Sequence, residues 1–194
     1  MTTSSSPKIG PPPPFDAELA SVLKQINEVM PPNAIQLETL ETFRGDFPGV
    51  ETPTEEEIFK LLSMEGHFTV EERLVPGPEG SPDVSLLICL PQGLSSPVGA
   101  LYHIHGGGMV IGDNRTGTPY VLELAKELGL AVVSVEYRLA PETPYPGPVE
   151  DCYAGLVWTV ENAEILGINP AQIVVVGARG LNPGKWTQGL IKMQ

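Results

Sequence analysis

Positive charge is scarce in this 194-residue chain: eleven Lys and Arg stand against twenty-four Asp and Glu, for a formal net charge of −13. A nucleic-acid partner needs clustered basic residues to neutralise phosphates, so that class is excluded. Electrostatic docking on anionic membranes is excluded on the same ground. Cysteine is nearly absent too. Cys89 and Cys152 are too few for a disulfide framework, and each sits in an apolar-periodic segment, which predicts buried free thiols. There are three histidines, His67, His103 and His105, with no metal-ligand spacing around them; neither a metal nor a cofactor is expected. No run of eighteen apolar residues occurs, so no membrane span is expected. The opening Met1-Thr2-Thr3-Ser4-Ser5-Ser6 has no apolar h-region and does not read as a secretory signal, which makes the cytoplasm the expected location. The pattern Gly-x-Ser-x-Gly is also missing from the chain.

What is present is a globular composition, 41% hydrophobic, long enough for one domain with a real core. Residues 1–15 form a Ser-rich, then Pro-rich tail (Pro11 to Pro14), expected to be disordered or polyproline-like; a docking site for a partner is the alternative. Residues 16–66 read as a helical cap or flanking segment. From Asp16 to Met30, Leu19, Val22, Leu23, Ile26, Val29 and Met30 recur at helical spacing, and Pro31-Pro32 end the run. Thr54 and Glu57 form a capping-box pattern, and the helix they start carries Ile58, Leu61 and Leu62 on one face.

The periodicity then changes. Phe68 to Val75 and Val84 to Leu90 read as strands separated by a Pro- and Gly-rich turn, and Val98 to His105 as a third strand. Thr118-Pro119 predicts an N-cap and a proline at the first helical position, with Leu122, Ala125 and Leu128 inward and Gly129 at the stop. Ala131 to Tyr137 reads as a strand buried on both faces. Val149 to Ile165 predicts a helix with Cys152, Leu156 and Val160 inward, and Ile173 to Val176 a short apolar strand. Strands alternating with helices after residue 98 predict an α/β fold, a mostly parallel sheet with helices on both faces.

His105-Gly106-Gly107-Gly108 follows the third strand. Without Cβ atoms, such backbone N–H groups can approach a ligand oxygen, and they suit the negative charge that develops on a tetrahedral acyl intermediate. A plain glycine loop is the alternative. Together with Tyr137-Arg138-Leu139-Ala140-Pro141-Glu142, Pro144-Tyr145-Pro146 and Glu150-Asp151-Cys152, the motif resembles the hormone-sensitive-lipase-like branch of the α/β-hydrolase family, carboxylesterases and lipases, from about Thr69 to Gly177. The resemblance implies a partial α/β-hydrolase domain over residues 67–178. It implies that Gly107 and Gly108 supply oxyanion-hole N–H groups and that His105 and Gly106 begin that motif, His105 orienting the loop rather than serving as the triad base. It implies that Tyr137, Arg138 and Asp151 form a structural set behind the site, with an Arg138–Asp151 ion pair. Met109, Val110 and Ile111 are either pocket lining or ordinary loop packing. The implied substrate class is a small-molecule ester, attacked by a serine through an acyl-enzyme.

The chain departs from the family at the nucleophile elbow. Gly177 and Ala178 match its start, but Arg179 stands at the nucleophile position and Leu181 replaces the closing glycine, with Gly180 at the third oxyanion position. A guanidinium stays protonated and cannot act as the nucleophile. The family order is Ser, then Asp or Glu, then His, and the fifteen residues after Arg179 hold none of the last three. His67 reads as a strand-start residue and His103 as part of the third strand. Residues 179–194 form a non-family tail, interrupted by Pro183 and Gly184. The abrupt stop points to a frame change or a missed or retained intron, with a truncated isoform as the alternative. The sequence therefore reads as an ester hydrolase by descent, catalytically incompetent as given. The alternative is a non-catalytic small-molecule-binding protein, or an interaction protein acting through an exposed 173–176 strand edge, self-association included.

Overall fold

The computed structural model describes residues 16–29, 36–44 and 53–177. Two compact units divide the chain, Met1–Leu40 and Glu41–Gln194. In the first, helix α1 (Ala17–Val29) occupies the predicted segment. Asp16 starts it: its Oδ1 accepts the Glu18 N–H at 2.8 Å and its carbonyl accepts the Ala20 N–H at 2.8 Å. The expected stop at Pro31-Pro32 and the 1–15 tail lie outside the described residues.

A short helix, α2 (Leu40–Arg44), has no counterpart in the sequence pattern. Helix α3 (Glu55–Leu62) begins with the predicted capping box. Thr54 Oγ1 accepts the Glu57 N–H at 3.2 Å, and Glu57 Oε2 accepts the Thr54 N–H at 2.8 Å. The inward face is narrower than predicted. Leu62 is buried and Ile58 half-buried, four residues apart on one side, whereas Leu61 turns out to water.

The sheet is built from β1 (Phe68–Val75), β2 (Val84–Pro91), β3 (Val98–Ile104), β4 (Ala131–Glu136) and β5 (Ile168–Gly177), in the order β1-β2-β4-β3-β5. The three strands after residue 98 are parallel, as alternation with helices requires, while β1 and β2 add antiparallel pairings at one side. The central strands β2, β4 and β3 are buried on both faces, which is why they read as near-continuous apolar runs. On one face Leu86, Ile88, Tyr102, Val133 and Val135 pack with Cys152 and Leu156 of α5 (Gly147–Glu161). On the other, Leu87, Cys89, Leu101 and Val132 pack with Leu122 and Ala125 of α4 (Thr118–Leu128), together with Leu62 and Phe68. Both cysteines are free and buried, and burial pushes each thiol up to about 12.

Helix α5 approaches the sheet closely at Gly155, where an added Cβ would lie 2.5 Å from the Tyr102 hydroxyl. That hydroxyl donates to the Cys152 carbonyl at 2.9 Å, so the buried phenol is satisfied.

Four predicted details change. Gly117, at φ 78°, is the N-cap of α4 and Thr118 its first residue. The Thr118 hydroxyl instead donates to the Asn114 carbonyl at 2.7 Å inside the core. Leu128 is exposed, because only two turns of α4 face the sheet. The long helix breaks at Asn162, with α6 (Ala163–Leu166) following. Strand β5 starts five residues earlier than Ile173, at Ile168. Among the described residues β5 pairs with β3 alone, and Val174 on it is 55% exposed.

Candidate functional site

Parallel pairing brings the ends of β3, β4 and β5 to one end of the sheet, the position where open α/β sheets bind ligands. The glycine loop leaves β3 there, and the Tyr137–Pro146 loop leaves β4. Residues 178–194, including Arg179, Gly180 and Leu181, lie outside the described residues.

The glycine loop has an unusual backbone. Gly107, Gly108 and Met109 have φ of 114°, 64° and 64°, three left-handed residues in a row. Gly107 is irreplaceable on space as well, because an added Cβ would lie 2.0 Å from the Ile111 carbonyl oxygen. The direction of each amide is set from behind. Peptide units are planar, so holding a carbonyl on one side aims the next N–H to the other. The Gly106 carbonyl accepts from His105 Nδ1 at 2.8 Å, which fixes the Gly107 N–H. The Gly107 carbonyl accepts from the Val110 and Ile111 N–H groups at 3.1 and 3.2 Å, which fixes the Gly108 N–H. Among the described residues neither the Gly107 nor the Gly108 N–H has an acceptor of its own.

His105 is 2% exposed and stacks on Tyr137, centroids 4.0 Å apart with planes inclined by 7°. The Tyr137 hydroxyl donates to the His105 carbonyl at 2.8 Å. Burial pushes the imidazole pKa down, so the ring is neutral. The hydrogen bond to Gly106 assigns the proton to Nδ1. Nε2 is then a bare lone pair with no partner among the described residues. A neutral ring whose Nδ1 proton is already engaged by the Gly106 carbonyl is unsuited to proton transfer at Nδ1.

Arg138 and Asp151 form the ion pair expected of them. Arg138 Nε and Nη2 each donate at 2.7 Å to the two oxygens of Asp151, and the Arg138 N–H adds a third bond at 3.0 Å. Asp151 is 1% exposed, and Arg138 takes up both of its oxygens. Of the three residues after the glycines, Met109 packs on the core, Val110 accepts from Arg44 through its carbonyl, and Ile111 closes the turn on Gly107.

His103 is not part of this site. It lies in β3 with Nδ1 2.9 Å from Ser134 Oγ and 3.2 Å from Thr118 Oγ1, all three side chains buried. Burial lowers its pKa to about 4, so it is a neutral core histidine. His67 stands just before β1, its ring edge-on to Phe68 at 4.8 Å.

Three contributors left no motif in the sequence. Gly112, at φ 94°, lets the chain pass His105, where an added Cβ would meet Nδ1 at 2.8 Å. Arg44 reaches the glycine loop from α2. Glu136, ending β4, accepts the Asn114 N–H at 2.6 Å and so anchors the segment after the loop. The Glu136 carboxyl is pushed up from 4.5 to about 7, chiefly by burial, with the Asn114 bond and Arg115 opposing the rise and Asp113 and Glu72 adding to it. The folded state then holds a proton that the unfolded chain releases near 4.5. Its contribution to stability is complete below that value and is lost as pH rises toward about 7. Urea unfolding of the wild type and of Glu136→Gln across this range checks the sign. The stability of the wild type relative to the variant falls with rising pH and levels off above about 7; a difference independent of pH contradicts the assignment.

A sequence profile of the alpha/beta hydrolase fold matches residues 101–179, which span the glycine loop, the Tyr137 loop and β5. The carboxylesterase NlhH of Mycobacterium tuberculosis is 33% identical over 160 residues, 82% of this chain and 47% of that protein. Human hormone-sensitive lipase is 32% identical over 122 residues, 63% of this chain and 10% of the lipase. Among solved structures, a bacterial heroin esterase superposes with a TM-score of 0.65 at 38% identity, over 84% of this chain and 48% of its own. The hyperthermophilic esterase of the archaeon Pyrobaculum calidifontis gives 0.62 at 28% identity, over 84% and 49%. The chain thus spans about half the length of the carboxylesterase and of both esterase structures. With the mixed sheet, the flanking helices and these likenesses in agreement, the chain belongs to the α/β-hydrolase family, in the branch of carboxylesterases and hormone-sensitive lipase.

Proposed function

We propose that this chain carries the oxyanion half of a carboxylic-ester hydrolase. In this reading the Gly107 and Gly108 N–H groups bind the acyl oxygen of a small ester, and His105 and Gly106 hold the turn that aims them. The observation that carries the reading is the pair of amides at the end of the parallel strands that have no acceptor among the described residues, each aimed by a hydrogen bond on the peptide's other side. Donors fixed in advance need no reorganisation when charge develops on the oxygen, which is the main requirement of oxyanion stabilisation. Arg179 at the nucleophile position leaves no serine to form an acyl-enzyme, so these 194 residues by themselves bind without turning over.

Two measurements on the 194-residue chain test this. Hydrolysis of p-nitrophenyl butyrate proceeds at the buffer rate, and a fluorophosphonate labels no residue; turnover with a labelled serine overturns the incompetence. Titration with butyrate moves the ¹⁵N–¹H signals of Gly107 and Gly108. If those two signals stay fixed while butyrate is in large excess, the oxyanion assignment fails.

A second reading, association through a strand edge, is favoured by β5. Its exposed Val174 and the edge opposite β3 form an apolar strand border among the described residues. The expected outcome is oligomers of the 194-residue chain in sedimentation velocity, shifted toward monomer by Val174→Lys. A monomer at all concentrations speaks against this reading.

A further inference from the structure

We propose that Arg44 is a positioning residue for the glycine loop, setting the direction of the Gly108 amide from the helical segment ahead of the sheet. The inference rests on the oxyanion reading for its purpose, and on hydrogen bonds alone for its mechanism.

Arg44 ends α2 and lies outside residues 101–179, the part matched by the family profile. Its guanidinium is spent on three acceptors. Nε donates to the Val110 carbonyl at 2.7 Å, Nη1 to Glu142 Oε1 at 2.9 Å, and Nη2 to the Ala140 carbonyl. The three acceptors lie on two loops, one from β3 and one from β4. A planar fork of fixed donors can span such a set, whereas a lysine ammonium cannot match its geometry.

The Val110 contact controls an amide two steps away. Gly107 O is held by two N–H groups, those of Val110 and Ile111. Each belongs to a peptide unit held from behind. The Met109–Val110 unit is held at Met109 O by the Ala140 N–H at 2.8 Å. The Val110–Ile111 unit is held at Val110 O by Arg44 Nε. Arg44 also grips Ala140 through its carbonyl, so both supports of Gly107 O pass through this side chain. Since Gly107 O and the Gly108 N–H are opposite ends of one planar unit, Arg44 fixes the direction of the Gly108 donor. Glu142 has a different part. It is exposed and neutralises the fork, and its carboxyl is held below the ordinary range by Arg44.

The test is amide hydrogen exchange of the whole 194-residue chain, resolved over residues 105–112, with the Gly108 ¹⁵N–¹H shift as the signature of direction. In Arg44→Ala, exchange at Val110 and Ile111 rises about tenfold or more, which corresponds to about 1.4 kcal/mol of lost local protection. The Gly108 signal moves, while exchange in β3 and β4 stays as in the wild type. Arg44→Lys keeps the charge and most of the stem, and gives the same local pattern if the alanine variant does not fold. Glu142→Gln, which removes the ion pair and leaves both carbonyl bonds, leaves Gly108 in place. The proposal is overturned if Val110, Ile111 and Gly108 in the lysine variant match the wild type. It is equally overturned if exchange rises as much in the strands as in the loop, the mark of a general stabiliser. No substrate enters the measurement, so failure of the oxyanion reading, seen with butyrate, is a separate result.

Discussion

Asp151 is a carboxylate almost without access to water, and the architecture of the site depends on how its charge is met. A buried anion is tolerated only when paired and hydrogen-bonded. Here a single residue does both: Arg138 supplies the cation through two side-chain donors and a third bond through its own N–H. Because Asp151 lies on α5 and Arg138 follows Tyr137 directly, the pair fastens the loop after β4 to the helix. Tyr137 is thereby held flat against His105, and its hydroxyl takes the His105 carbonyl. The orientation of the glycine loop therefore traces back, through one stacked ring and one phenol, to an ion pair whose carboxylate is buried.

The loop itself is organised by carbonyls rather than by the amides that face outward. Gly106 O and Gly107 O each point to a donor inside the protein, and each sends the neighbouring N–H the other way. Glycine is required because the three-residue left-handed run and the 2.0 Å approach to Ile111 O leave no room for a Cβ at Gly107. Met109 follows with the same sign of φ, a strained state for a side-chain-bearing residue. Its side chain packs on the core and its carbonyl is bonded to Ala140, two contacts that oppose relaxation of the turn.

Much of this was legible in the sequence, for identifiable reasons. Glycines at strained positions, the apolar runs of β2, β4 and β3, and the Thr54–Glu57 box leave local traces. The Arg138–Asp151 pair was legible only through likeness to a family, since thirteen residues of separation have no periodicity that signals contact. Arg44 was not legible at all: a single arginine 66 residues from Val110 carries no pattern, and only the fold brings them together. Thr118 misled because Ser and Thr before an apolar run signal a cap; here Gly117 takes the cap, and the hydroxyl serves a buried group with His103 and Ser134. Leu61 and Leu128 fit the helical period, but Leu61 lies beside the narrow face that α3 buries, and Leu128 lies beyond the two turns of α4 that face the sheet.

The most direct test of the dependence on Asp151 is a double-mutant cycle on unfolding free energy with Arg138→Met and Asp151→Leu. Arg138→Met strands a buried carboxylate and costs about 3 kcal/mol. The double variant, with no charge left to bury, is more stable than the sum of the two losses predicts by about 2 kcal/mol or more. Losses that add to within about 0.5 kcal/mol would show that the two residues act independently, and the ion pair would not be the element on which the loop depends.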